Sequence, residues 1–388
     1  MTFAARTVHL KPEGAYRVLA RAAQLEAAGR EIIHLEIGQP DYATFANVSQ
    51  AGIEAIRAGK TRYTPPAGMT SLRAAIAEDA GSRRGIKFEA EEVVVSPGGK
   101  PNLFFPTLAL VEPGDEVIYP NPGFPTYEAM IRVAGGIPVA VPLLEKNSFS
   151  FDLNAFEKLI NDRTKLIILN SPSNPTGGVI PLEDLKCIAI QAERHDCWVM
   201  SDEIYARIVY DGLTAPSIAA LPGMKERTII VDGFSKTYSM TGWRLGFGIM
   251  PRNLAARVDL LLTHSIGSTA HFTQFAGLEA VTGPQDMVEV MVAEYQRRRN
   301  IIVDGLNIIP GFSCQKPQGA FYVFPNIKGT GLSSTDLADL ILEKAGVALL
   351  PGSSFGDYGD GYLRLSYANS IENIQLGLKK IQNVITRM

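Results

Sequence analysis

The sequence predicts an α/β protein whose larger domain, residues 45–280, carries a mostly parallel central sheet flanked by helices. Residues 1–44 and 281–388 are expected to form a smaller α+β domain. Two observations carry this. Between residues 93 and 249, short runs that are apolar throughout are separated by helical stretches, as in a sheet buried on both faces. After about residue 280 the texture changes to a long charged helix, Met287 to Ile302, followed by short strand candidates at 319–324 and 362–367.

Taken in order, residues 11–29 read as a helix, with Val18, Leu19, Ala22, Leu25 and Ala28 spaced by turns. A short strand over residues 32–37 stops at Gly38, and Pro40 opens a loop. Thr70 or Ser71 is expected to cap a helix running through Ala80. Val93–Val95 reads as a strand, and a helix opens near Pro101 and runs to Leu110. The apolar runs at 116–119, 137–141, 166–169, 198–200, 228–231 and 245–249 supply the remaining strands of the sheet, with a helix at 182–194.

Composition excludes several classes of function. Of 388 residues, 46% are hydrophobic and 20% charged, an ordinary globular balance. A net charge of -3 leaves no basic excess for a polyanionic partner, so neither nucleic acid nor a membrane surface is expected. The triplet Arg297-Arg298-Arg299 reads as a solvated helix face. Cys187, Cys197 and Cys314 are scattered and form no CxxC pair, so no zinc or other metal site and no disulfide framework is expected, which suits a cytoplasmic location. The N-terminal stretch lacks the apolar core of a signal peptide. Leu103 to Val111 comes nearest to a membrane span, but it is far short of the roughly 18 residues needed, and Pro106 interrupts it.

In an open α/β sheet, ligands bind beyond the carboxyl ends of the strands, so the residues just past each apolar run carry the chemistry. After Val95 comes Ser96-Pro97-Gly98-Gly99-Lys100-Pro101, a Gly-Gly turn opening a helix whose free N–H groups suit an anion such as phosphate. After Leu169 comes a stretch rich in Pro and Gly that fixes the path around Asn174. After Met200 comes Asp202, a carboxylate costly to bury unless a cation meets it. After Val231 comes Lys236 among small polar residues, with Arg244 eight positions on. Singly, each has a bland alternative: a plain turn, a rigid loop, a structural ion pair, a surface lysine. Jointly, they match the needs of pyridoxal phosphate, with a lysine to form a Schiff base, an acid to pair with the pyridinium nitrogen and an anion pocket for the phosphate.

The sequence resembles the class I/II aminotransferases of the fold-type I pyridoxal-phosphate enzymes, most of all their prokaryotic aspartate/aromatic branch. The likeness covers nearly the whole chain. It rests on Tyr63-Thr64-Pro65-Pro66-Ala67-Gly68, Gly98-Gly99-Lys100, Asn174-Pro175-Thr176-Gly177, Ser201-Asp202-Glu203-Ile204-Tyr205, Ser235-Lys236-Thr237, Met240-Thr241-Gly242-Trp243-Arg244 and Tyr362-Leu363-Arg364-Leu365-Ser366.

The resemblance implies a role for each matching residue. Lys236 would hold the cofactor covalently and then carry the proton away from Cα of the substrate. Asp202 would keep the ring nitrogen protonated, and Asn174 and Tyr205 would bond the ring's phenolic oxygen. Gly98, Gly99, Lys100, Ser235 and Arg244 would hold the phosphate, with Tyr63 reaching the phosphate of a second subunit in a homodimer with shared active sites. Phe124 matches the position where an aromatic ring stacks on the pyridine; many relatives carry Trp there. Arg364, helped by Gly38 and Asn174, would bind the substrate's α-carboxylate in a planar fork. Tyr63, Phe124 and Arg364 each retain a packing or ion-pair alternative. Trp243, His34, His264 and His271 are expected to pack or face solvent.

The implied reaction moves the amino group of an L-amino acid to a 2-oxo acid, with 2-oxoglutarate the expected acceptor, by a ping-pong route. Two alternatives stay open. One is another enzyme on the same scaffold, a C–S lyase or a cyclopropane-carboxylate-type synthase. The other is a non-catalytic regulatory domain that keeps the cofactor, for which the match, beginning within the first forty residues, is expected to leave no room for a DNA-binding module. The amino donor, a meeting of Lys100 with a distal carboxylate, and a cover formed by residues 11–29 are left open.

Overall fold

A computed structural model of the chain describes residues 3–8, 10 and 14–387. The strands in chain order are β1 (Ile33–His34), β2 (Val93–Ser96), β3 (Glu116–Asn121), β4 (Ile137–Pro142), β5 (Thr164–Asn170), β6 (Trp198–Asp202), β7 (Thr228–Gly233), β8 (Gly246–Ile249), β9 (Tyr322–Val323), β10 (Val347–Ala348), β11 (Leu350–Pro351) and β12 (Leu363–Ser366). Strands β2 to β8 form one sheet in the order β2-β8-β7-β6-β5-β3-β4. From β7 across to β4 every neighbour is parallel, while β8 runs antiparallel to both β7 and β2. The reversal follows from the connection. After β7 the chain turns back directly past Lys236 instead of crossing a face of the sheet, and a direct return makes an antiparallel pair.

Side chains alternate across the sheet. On β5, Leu166 and Ile168 pack into one apolar layer and Ile167 and Leu169 into the other. Helices cover both faces, which is why these strands read as unbroken apolar runs. The rest of the framework is smaller: β1 pairs with β10 in parallel, and β11-β12-β9 form an antiparallel sheet. The helix Ile371–Ile385 packs against both Asp286–Asn307 and Ser334–Ala345.

Several elements differ from the sequence reading. The strand expected over 32–37 is limited to β1. Helix Gly14–Ala27 replaces the expected 11–29, of which residues 11–13 lie outside the described residues. The helix Thr70–Arg84 has Met69 at its N-cap, without a side-chain cap, and passes the expected end at Ala80. It continues because Arg84 turns inward, its guanidinium 2.6 Å from the buried carboxylate of Glu203. Gly85, in the left-handed conformation at φ 68°, then ends it.

The arginine triplet is corrected in the same way. Arg299 is fully buried and bidentate with Asp211, at 2.7 and 2.9 Å. Arg298 is buried between Asp41 and Glu294. Only Arg297 faces solvent. Three consecutive helical residues, each rotated by about 100°, cannot share one face.

Candidate active site

The polar residues following β2, β5, β6 and β7 converge at one edge of the large sheet. At the end of β2, the Ser96 hydroxyl donates to the Gly98 carbonyl at 2.7 Å and accepts from the Asn102 amide at 2.6 Å, which pins the turn. Gly98 has φ +85°, and a Cβ there would stand 2.4 Å from Nη2 of Arg244. Only glycine lets the guanidinium lie against this turn. Arg244 itself holds φ 54°, a conformation rare for side-chain-bearing residues, and its Nη1 donates to the Thr241 carbonyl at 2.9 Å. Gly99 precedes the helix Lys100–Leu110, whose opening N–H groups face the same turn. The Lys100 ammonium stands 5.2 Å from the centre of the Phe124 ring.

Asp202 ends β6 and is 5% exposed. Its Oδ2 accepts from the Tyr127 hydroxyl at 2.7 Å and its Oδ1 from the Ile204 N–H at 3.2 Å. Burial pushes its carboxyl up to about 6, while Tyr127 and the Ile204 N–H pull it down. The Asn170 amide donates to the Asp202 carbonyl at 3.1 Å and accepts from the Asn174 N–H at 2.8 Å, so β5 and β6 hold each other in place.

Lys236 sits in the single helical turn Phe234–Thr237 after β7, with Ser235 beside it and both side chains partly buried. Its ammonium donates to the Gly38 carbonyl at 2.5 Å. Burial brings the amine down to about 8, and Arg364, Arg244 and Lys100 push the same way against Asp202. Arg364, 4% exposed on β12, donates from Nη2 to the Glu36 carbonyl at 2.5 Å and from Nη1 to Oδ1 of Asn174 at 3.1 Å. Its guanidinium is packed between the rings of Tyr322 and Phe355, at 4.5 and 5.0 Å. The Tyr205 hydroxyl meets that of Tyr322 at 2.8 Å.

The arrangement fits a group that is cationic at one end and anionic elsewhere. A buried carboxyl driven up by desolvation is relieved by a ring N–H⁺, and an amine depressed among three cations is relieved by a phosphate and a substrate carboxylate. The Gly98 turn, with Arg244 lying on it, is a cradle that a Cβ would close. Pyridoxal phosphate has this distribution of charge.

Most of the residues singled out from sequence come together here. Tyr63 stands apart, 98% exposed on the single chain. Its neighbour Thr64 reaches Ser268 at 3.4 Å, on the rim of a cleft of about 860 Å³ that Arg244, Gln39, Thr44 and Trp243 also line. Sequence reasoning missed Tyr127 and Tyr322. Tyr127 lies three residues after Phe124 and packs edge-on to it at 5.7 Å, a helical spacing that was a usable signal. Tyr322 lies on a two-residue strand that carries no such signal. His34 also has partners not foreseen, with Nδ1 2.7 Å from Glu36 and Nε2 3.0 Å from Glu26. Trp243 packs as expected, with its indole N–H on Thr44 at 3.0 Å.

Such a fold and site define a pyridoxal-phosphate enzyme of the open α/β type. The family model for aminotransferase class I and II matches residues 30–381, and the chain belongs to that family; it is a pyridoxal-phosphate-dependent aminotransferase. Among its relatives, an aspartate aminotransferase of Geobacillus stearothermophilus is 39% identical over 98% of both chains. The solved structure of an aspartate aminotransferase from Thermus thermophilus with maleate superposes with a TM-score of 0.95, at 36% identity over 99% of this chain and 100% of the other. An aromatic aminotransferase from Pyrococcus horikoshii OT3 superposes at 0.90, with 38% identity over 95% of this chain and 99% of the other.

Proposed function

We propose that this chain transfers the amino group of a dicarboxylic L-amino acid to 2-oxoglutarate in two successive half-reactions at Lys236. The observation that carries the reading is the cationic field around one depressed amine, with Arg364, Arg244 and Lys100 on one side and Asp202 opposing them. The relatives named as aspartate aminotransferases support the dicarboxylic donor.

When bound, pyridoxal phosphate supplies an aldehyde for the amino group and a ring that accepts the charge left at Cα. Gly98, Gly99, Lys100, Ser235 and Arg244 would hold the phosphate. Phe124 would pack against the ring, and Asn174 and Tyr205 would bond its phenolic oxygen. Asp202 would hold a proton on the ring nitrogen. Arg364 binds the α-carboxylate as a planar fork whose orientation Glu36 and Asn174 set, with Gly38 alongside. The Lys236 amine would take the proton from Cα of the donor. Lys100, whose ammonium lies 5.2 Å from the Phe124 ring centre, would meet the distal carboxylate of the donor if the phosphate is held by the Gly98 turn, Ser235 and Arg244 without it.

The exposed Tyr63, next to Thr64 whose N–H reaches the cleft-lining Ser268, supports a homodimer with shared active sites, in which Tyr63 would reach the partner's phosphate. The separate sheets β1-β10 and β11-β12-β9 support a smaller domain of residues 1–44 and 281–388 beside a larger one of 45–280. Free thiols at Cys187, Cys197 and Cys314 support a cytoplasmic location. Among the described residues, no helix is long and apolar enough to cross a membrane.

A panel of amino donors, each followed by 2-oxoglutarate, tests the reaction. Aspartate or glutamate should convert the bound cofactor to its amine form, and 2-oxoglutarate should restore the starting spectrum. Release of pyruvate, ammonia and a free thiol from cysteine S-conjugates without that cycle would establish the lyase reading instead. A preference for apolar donors over aspartate would overturn the dicarboxylic assignment.

A further inference from the structure

One side chain touches three parts of the site while belonging to none of the motifs. Tyr322 is 1% exposed. Its hydroxyl lies 2.8 Å from that of Tyr205, and its ring lies under the Arg364 guanidinium at 4.5 Å. A Cβ on Gly38 would come within 2.5 Å of its hydroxyl, so the backbone whose carbonyl accepts from Lys236 passes directly over this phenol. The ring is held by its neighbours Phe321 and Tyr205, at 4.8 and 5.7 Å, which fixes where the hydroxyl oxygen lies.

We propose that Tyr322 is a positioning residue whose hydroxyl donates to Tyr205, freeing the Tyr205 proton to point at the phenolic oxygen of the cofactor and strengthening that bond. The inference deepens the role given to Tyr205 above and rests on it. A phenol has one proton and two acceptor lone pairs. If Tyr205 spends its proton on Tyr322, it has none for the cofactor; if it accepts from Tyr322, it has. The second arrangement builds a chain of two O–H donors ending on an anionic oxygen, and such chains polarise one another.

Charge favours that direction. Burial raises both phenols, and the Arg364 charge opposes the rise in each. Arg364 lies over the ring of Tyr322 itself. The more acidic phenol of a pair is the better donor. Tyr322 reaches this position from β9, in the small antiparallel sheet, whereas Tyr205 follows β6 of the large one. The bond therefore ties the Tyr205 hydroxyl to the same small sheet that carries Arg364 on β12.

The test uses the cofactor-loaded enzyme and three variants: Tyr205→Phe, Tyr322→Phe and the double substitution. The pH midpoint of the cofactor's visible absorption reports the strength of the bond to its phenolic oxygen, because losing a donor there makes the cofactor more basic. Tyr205→Phe should raise the midpoint. Tyr322→Phe keeps the ring and the Arg364 stack, and should raise the midpoint by a fraction of that amount, roughly a third, since polarisation along a hydrogen-bond chain is partial. The double variant should match Tyr205→Phe alone. KM for the amino donor should stay within about twofold for Tyr322→Phe, because the stack under Arg364 is retained. An unmoved midpoint in Tyr322→Phe, alongside a raised one in Tyr205→Phe, would show that Tyr322 merely packs. Additive shifts in the double variant would show that it does not act through Tyr205. An unmoved midpoint in Tyr205→Phe would instead remove the role assigned to Tyr205 under the proposed function.

Discussion

The Tyr127 hydroxyl donates to Oδ2 of Asp202 at 2.7 Å, with both side chains closed off from water. A neutral donor thus orients the carboxylate from behind, so that its ionised form is favoured without a charge being spent nearby. Tyr127→Phe should retain cofactor and lower kcat by about tenfold, in line with the worth of a hydrogen bond to a charged group. The same bond holds the Asp202 carboxyl down, so its loss should move the acid limb of kcat to higher pH. Asp202→Asn should bind cofactor and lose most of the rate; a pH profile of both variants checks this.

Lys236 is depressed to about 8 in the folded protein, below its ordinary 10.5. Folding therefore disfavours its ammonium form. Between those two values the unfolded chain binds more protons than the folded one, so this residue makes stability rise with pH across that window. Below about pH 8 the handicap is fully present. Cofactor-free Lys236→Met should melt above the cofactor-free parent at pH 7, with the gap closing as pH rises toward 10. Lys236→Ala should lose both turnover and the visible absorption of the covalently held cofactor. Thermal melts across pH, with spectra of the reconstituted variants, test both statements.

Arg364 is braced on two sides, by the Glu36 carbonyl and by Oδ1 of Asn174, and stacked between two rings. Lysine can reproduce the charge but not the planar fork or the stack. Arg364→Lys should raise KM for both the amino donor and the oxo acid by about 10- to 100-fold, equivalent to losing a hydrogen bond of the charged kind. The cofactor spectrum should be unchanged. Steady-state kinetics with each substrate in turn separate these effects.

Arg84 and Glu203 form an ion pair at 2.6 Å that is 5% exposed on each side, and Asp232 lies 3.7 Å from the same guanidinium. Glu203 also accepts from Ser201 and Ser217. Removing one charge strands the other in a dry interior. Arg84→Met should cost about 3–5 kcal/mol of stability in urea titration, and Arg84→Met with Glu203→Leu should cost less than the single change.

Much of the site was legible because the residues of the large sheet's binding edge follow its apolar runs directly. Asp202 closes β6 itself, and Lys236 lies three residues past the end of β7. The Gly-Gly turn and its helix were visible for the same reason, since Gly98 is required locally by its positive φ. The reversal of β8 was not visible, because an apolar run does not reveal which way it travels. Nor were the buried arginines 84, 298 and 299, whose charge argues for solvent until a partner from elsewhere in the fold is known.

By itself, the sequence determined the class of fold, the order of chemical groups along the sheet edge and the family to which the chain belongs. Only the tertiary structure decided which of those groups touch. Tyr127 meets Asp202 across 75 residues, Tyr322 meets Tyr205 across 117, and Arg364 meets Asn174 across 190. Apolar periodicity and turn chemistry are local, acting over a few residues. A hydrogen bond between distant side chains exists only once packing has brought two elements together and excluded the water that would otherwise take its place.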